Sequence, residues 1–157
     1  MKKILALLFL FLIIITQAQE KVSLNKGEII IPIGEKILLN PEFKGNKIIS
    51  FKIIKEESIT EKLDLLDMLQ KFKKDDIKDN SIEFTFSEAQ MMTTPVNILL
   101  TIQKTGKKMI FKAKIRLKGA SSYESTSIMP SVSNTSHIEQ WKDNIDSIIL
   151  YDFELIN

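Results

Sequence analysis

The chain has 157 residues and no cysteine. That is enough for one domain with its own core, and it excludes disulfides, thiolate metal sites and cysteine nucleophiles. Charge is nearly balanced, 22 basic against 20 acidic side chains, and Arg116 is the only arginine; with neither a basic excess nor a set of arginines to grip phosphate, no nucleic-acid partner is expected.

The N-terminus carries a targeting pattern. Lys2 and Lys3 precede an unbroken apolar run from Ile4 to Ile15, and Thr16-Gln17-Ala18 offers small residues at a cleavage site. This is the layout of a secretory signal peptide. As a helix the run would reach only ~18 Å at ~1.5 Å per residue, short of a hydrocarbon core of ~30 Å. The expectation is a signal peptide over 1–18 and a single β-rich domain over 19–157, exported to the periplasm or secreted, with no membrane span in the mature chain. Loss of Lys2 and Lys3 would leave basic and acidic side chains equal in number.

Two-residue alternation of β-branched and aromatic residues, the mark of strands, dominates the rest of the chain. Gly27 to Leu39 holds two short runs, with Ile29, Ile31 and Ile33 alternating and Pro32 indicating an edge strand or bend. Asn40-Pro41 and Gly45-Asn46 read as turns. Ile48 to Lys55 reads as a strand with Ile49, Phe51 and Ile53 on one face. Ser58 to Lys73 changes to a helical period through Leu63, Leu66, Leu69 and Phe72, and Ser58 with Glu61 has the spacing of a capping box. Ser81 to Phe86 predicts a strand facing Ile82, Phe84 and Phe86 inward. Val96 to Gln103 predicts another, facing Val96, Ile98, Leu100 and Ile102 inward. Thr105-Gly106 reads as a hairpin turn to the next strand, Met109 to Lys118. Residues 120–136 contain nine serines and threonines and no periodicity, which predicts a long loop. Ser136 to Asn144 reads as a short helix carrying Trp141. Ser147 to Ile156 closes the chain as a strand, with Ile148 and Leu150 on one face and Ile149, Tyr151, Phe153 and Leu155 on the other.

About seven strands and one helix fit a mainly β fold, best an immunoglobulin-like antiparallel β-sandwich with one amphipathic helix. The alternative is an α+β fold with the helix packed on one antiparallel sheet.

No catalytic, metal or cofactor signature stands out, and no cofactor is expected. His137 is the only histidine; a zinc site around it would need carboxylates for the remaining ligands, so a surface or loop histidine is expected. Gly119-Ala120-Ser121-Ser122 is not a nucleophile elbow. Asp75, Asp76, Asp79 and Glu83 do not match an EF-hand spacing. Glu56, Glu57 and Glu61 with Asp64 and Asp67 offer paired carboxylates, but a solvated helix face explains them equally well. Trp141, Tyr151 and Phe153 are expected in the core. The sharpest surface feature is the stripe Lys112, Lys114, Arg116 and Lys118, opposite Phe111, Ala113, Ile115 and Leu117. Four cations on one strand face would attract an anionic partner such as acidic polysaccharide, lipopolysaccharide or an acidic protein. Exposed lysines also discourage edge pairing, and cross-strand glutamates would neutralise the stripe.

The runs Thr126-Ser127-Ile128-Met129-Pro130, Glu139-Gln140-Trp141-Lys142-Asp143 and Ile148-Ile149-Leu150-Tyr151-Asp152-Phe153 resemble a group of uncharacterised small exported proteins of the Bacteroidota. The resemblance spans residues 80–157 and the signal peptide. It implies a periplasmic or secreted bacterial protein and carries no activity across.

These features lead to a non-catalytic binding or interaction module, presenting the basic strand face or the segment 120–136 to a partner in the envelope or outside the cell. The alternatives are a carboxylate-dependent hydrolase, which requires a concave pocket with converging carboxylates, and an envelope inhibitor or immunity-type protein.

Overall fold

The computed structural model describes residues 21–71, 77–91 and 94–156. The signal-peptide expectation, Asp75 and Asp76 lie outside the described residues. Within them the chain is mainly β. Eleven strands join in one antiparallel hydrogen-bonded sheet, with one short helix.

In chain order the elements are β1 (Ser23–Asn25), β2 (Glu28–Pro32), β3 (Glu35–Lys44), β4 (Lys47–Ser58), β5 (Leu63–Asp64), α1 (Leu65–Lys71), β6 (Ile82–Met91), β7 (Thr94–Gln103), β8 (Lys108–Leu117), β9 (Glu124–Thr126), β10 (Ser136–Trp141) and β11 (Ile145–Ile156). The main path of the sheet runs β1-β2-β11-β4-β3-β6-β7-β10, and β8 lies between β11 and β9. The two-residue pair of β5 with β6 is parallel. β11 is the hinge of this order. It pairs with β8 along its length, with β2 through Ser147–Leu150, and with β4 only at Glu154↔Lys47.

Alternation builds the core. Ile29 and Ile31, Ile37 and Leu39, and Ile82, Phe84 and Phe86 are fully buried, as their spacing predicts. Phe111, Ala113 and Ile115 join them from β8. The Phe84 ring meets Phe111 at 5.8 Å and Phe153 at 6.1 Å, on strands with which β6 does not pair. Full burial of each such side chain stabilises the fold by about 1.5–3 kcal/mol relative to exposure.

The structure departs from the sequence pattern where strands gain a residue. On β4, Phe43 pairs Ile48 and Glu42 pairs Ser50, so Ile49 is an extra residue; Ile54 is extra in the same way. A bulge reverses the inside–outside parity beyond it. Ile48 therefore faces the core with Phe51 and Ile53, while Ile49 and Ile54 are exposed. These bulges, with exposed Lys52 and Lys55, blunt the outer edge of β4 against further strand pairing.

β7 also differs from expectation. Leu99, Thr101 and Gln103 lie on the fully buried face and pair with Phe86, Phe84 and Ile82. Val96 and Ile98 face the other way, into a smaller cluster with Leu65 and Ala89 under β5 and α1. β7 and β8 form no hairpin: β7 pairs β6 and β10, and β8 pairs β11 and β9. Asn40-Pro41 is no turn but continues β3, beyond Leu39, its last residue paired to β6. There the absent proline N–H costs no ladder bond. The Gly45-Asn46 turn forms as expected between β3 and β4, with Gly45 at φ 65°.

Candidate functional site

The outward face of β8 holds the cationic stripe. Phe111, Ala113 and Ile115 point into the core, so Lys112, Lys114 and Arg116 must point out. Lys118 lies one residue past the end of β8, exposed, with its backbone N–H bonded to the Asn144 carbonyl at 2.8 Å.

Two of these cations meet carboxylates, and both carboxylates sit on irregularities of β11. Ile145 pairs Leu117 and Ser147 pairs Arg116, leaving Asp146 as an extra residue. Its Oδ1 accepts from Arg116 Nε at 2.8 Å and from Ser147 Oγ at 2.8 Å. The Tyr123 hydroxyl lies 2.8 Å from the same Ser147 oxygen, and the Tyr123 ring lies 5.3 Å from the guanidinium. Further along, Tyr151 pairs Lys112 and Glu154 pairs Ile110, so one extra residue is inserted near Asp152. Asp152 has φ 55°, a left-handed conformation that aspartate tolerates better than most residues. Its Oδ2 accepts from Lys112 Nζ at 2.8 Å. That hydrogen bond, together with the aspartate charge, holds the Lys112 ammonium above its ordinary pKa.

Lys114 rests over the Tyr151 ring, 5.2 Å from its centroid, a cation–π arrangement. Among the described residues no carboxylate pairs with Lys114 or Lys118. The neutralising groups are thus two aspartates at bulges rather than cross-strand glutamates.

The insertion at Asp152 also shapes a cleft. β11 leaves β2 after the Leu150↔Ile29 pair and meets β4 at Glu154↔Lys47. The β1–β2 turn abuts this gap, where a Cβ on Gly27 would stand 3.2 Å from the Ile49 carbonyl oxygen. The cleft encloses about 540 Å³, and Lys112, Tyr151 and Asp152 line it together with residues of β2 and β4.

Several of the other sequence candidates make contacts within their own segments or with a neighbouring strand. Asp64 Oδ1 accepts from the N–H groups of Leu66 at 2.9 Å and Asp67 at 3.1 Å. It is the N-cap of α1, so the helix begins at Leu65 and not at Ser58. Ser58 instead ends β4 and donates to Glu35 Oε1 at 3.0 Å. Glu57 pairs with Lys55, which lowers its carboxyl pKa. His137 lies on β10, not in a loop, 3.0 Å from Glu139 Oε1. Ser136 to Trp141 is a strand paired to β7, not a helix.

Phe153 is buried as expected, and Trp141 packs partly against the core near Phe86, whereas Tyr151 sits half-exposed on the cationic face. The segment 120–136 is irregular over most of its length, as expected, but it is tied to the sheet. The segment contains β9, and Ser131 exchanges two backbone bonds with Met109, each 2.8 Å.

Among the described residues no group of three or more histidine and acidic side chains is placed to hold a metal. No described helix is long and apolar enough to cross a membrane. Compared with known proteins, the chain matches no family model, no curated protein and no solved structure.

The sequence pattern locates the cations but misses Asp146, Asp152 and Tyr123. Strict alternation along β11 puts those aspartates in the wrong phase. The one available signal is an aspartate, Asp152, interrupting the aromatic pair Tyr151 and Phe153.

Proposed function

We propose that the protein is an exported, non-catalytic binding module whose outer β8–β11 face docks an anionic envelope component or an acidic protein. The observation that carries this is the arrangement of Lys112, Lys114 and Arg116 on one face of one strand, each held by a named neighbour: Asp152, Tyr151 and Asp146. Held side chains lose less conformational entropy when a partner arrives. Among the described residues two cations, Lys114 and Lys118, have no carboxylate partner and supply the attraction. Export rests on the apolar run Ile4 to Ile15 with its preceding lysines.

The fold that carries this face is an immunoglobulin-like sandwich. The ring contacts of Phe84 with Phe111 and Phe153 support packing of β6 over β8 and β11 as a facing layer.

Charge reversal at Lys114 and Lys118 tests the docking face. Lys114→Glu with Lys118→Glu should abolish salt-sensitive retention on heparin or lipopolysaccharide. The charge-matched pair Lys44→Glu with Lys52→Glu, exposed on the β3–β4 hairpin, should lower retention only slightly. Equal loss in both pairs would reduce the effect to net charge and overturn the assignment.

A second reading, a carboxylate-dependent hydrolase, is favoured by Glu28, Asp152 and Glu154 around the cleft. Turnover of a glycoside or ester by the wild type, lost in Glu154→Gln, would establish it. An envelope inhibitor or immunity-type protein remains compatible with the docking face, and a stoichiometric protein partner on purification from the native host would mark it.

A further inference from the structure

The cleft beside the cationic stripe differs from it in charge. Lys26 from the β1–β2 turn, Lys47 from the start of β4 and Lys112 from β8 converge there with Glu28, Asp152 and Glu154. Three ammonium and three carboxylate groups balance. A polyanion entering the cleft would meet three like charges, and so would a polycation. A guest carrying both signs meets complementary partners on each side. Lysine ammoniums donate and carboxylates only accept, so the cleft can answer both ends of a zwitterion.

The walls between these charges are apolar. Ile49 is 47% exposed because the β4 bulge turns it out of the core, and Ile110 and Tyr151 face the same space. An exposed isoleucine beside a ring in a concavity is a seat for an apolar side chain. The volume of about 540 Å³ falls in the usual range for small-ligand sites, about 300–1,000 Å³.

The backbone is shaped for this concavity. Asp152 holds a left-handed φ of 55° at the inserted residue, and such conformations cluster at binding sites because the surrounding structure must maintain them. Asp152 also occupies Lys112 in the free protein. It stands where the carboxylate of a guest would sit, and that exposed pair can exchange partners at little cost.

We propose that this cleft binds short peptides with free termini, the peptide carboxylate taken by Lys112 and Lys47, the ammonium by Glu28 and Glu154, and an apolar side chain seated on Ile49 and Tyr151. This rests on the binding-module reading but not on the anionic partner.

The test is an NMR titration of the ¹⁵N-labelled protein with the tripeptide Ala-Leu-Ala. Saturable shifts should concentrate at Gly27, Ile49 and residues 151–154. The same peptide acetylated and amidated should bind at least tenfold more weakly, as should the free peptide to Glu28→Gln, whose thermal melt confirms folding. Absence of shifts, shifts centred elsewhere, or equal binding of the capped peptide would overturn the proposal. Heparin retention of the same wild-type sample separates the two ideas: retention with no peptide shifts sinks only the cleft, and peptide shifts without retention sink only the docking face.

Discussion

Residues 58–73 and 120–136 behave in opposite ways. The first has helical periodicity and leucines at the right spacing, yet its helix starts only at Leu65 because β4 extends through Ser58 and β5 intervenes. The second has no periodicity and is rich in serine and threonine, yet it is tied to the body of the protein at several points. Ser131 and Asn134 are buried. Met109 and Ser131 pair backbone to backbone, and the Asn134 N–H donates to the Gln103 carbonyl at 2.8 Å. Gln103 itself is fully buried; its amide donates to the carbonyls of Lys107 at 2.8 Å and Ser131 at 3.3 Å, while its side-chain oxygen accepts from Thr105 N–H at 3.0 Å. At the far end Trp141 Nε1 donates to Thr126 Oγ1 at 3.0 Å. Order in a polar segment comes from paired backbone groups, which hydrophobic periodicity does not register.

The sharpest way to break this contrast is to remove the knot. Gln103→Ala empties a buried volume and leaves the Thr105 N–H without its acceptor, at about 1–3 kcal/mol for an unsatisfied group, while the Ser131 carbonyl keeps only the Met109 N–H. The expected result is a loss of about 2–4 kcal/mol in chemical denaturation, with new proteolytic nicks inside 120–136. The wild type should resist cleavage there.

Asp64→Ala removes the helix cap and should cost about 1 kcal/mol. Its effect should be confined to α1 and the small cluster of Leu65, Ala89, Val96 and Ile98, with 120–136 as resistant to protease as before. Nicking in 120–136 in this variant would show that the two regions are coupled.

The smallest expected effect depends on pH. Glu35 is 3% exposed, and its Oε2 has no hydrogen-bond partner among the described residues. Burial pushes its carboxyl above the ordinary 4.5, with the Ser58 hydrogen bond opposing and the Glu56 charge reinforcing. Because the folded-state pKa is raised, the neutral form is favoured on folding, and stability declines as pH rises from 4.5 through the folded value. Glu35→Gln should match the wild type at low pH and become the more stable protein as pH rises across that window. Denaturation midpoints at several pH values check this, and a difference independent of pH would contradict it.

Much of the fold is legible where strands are regular. Ile82, Phe84 and Phe86, and the alternation of β8 from Phe111 to Leu117, need only a period of two. That period fails at inserted residues. Alternation puts Tyr151 and Phe153 on one face, but the extra residue near Asp152 sends Phe153 into the core beside Leu155 and leaves Tyr151 outside under Lys114. The strand pairing is hidden for a related reason. Thr105-Gly106 resembles a hairpin turn, but β8 is claimed by β11, and sequence spacing does not report such distant pairing. The candidate site is therefore half visible: the cations lie on a regular strand, while their aspartate partners lie at bulges.

Hydrogen–deuterium exchange with and without a heparin oligosaccharide measures the proposed docking face directly, because it reads β8 and β11 separately from the segment 120–136. Slowed exchange at 108–118 and 147–154, lost in Lys114→Glu with Lys118→Glu, is the predicted result. Slowing confined to 120–136, or identical slowing in that variant, would contradict the account.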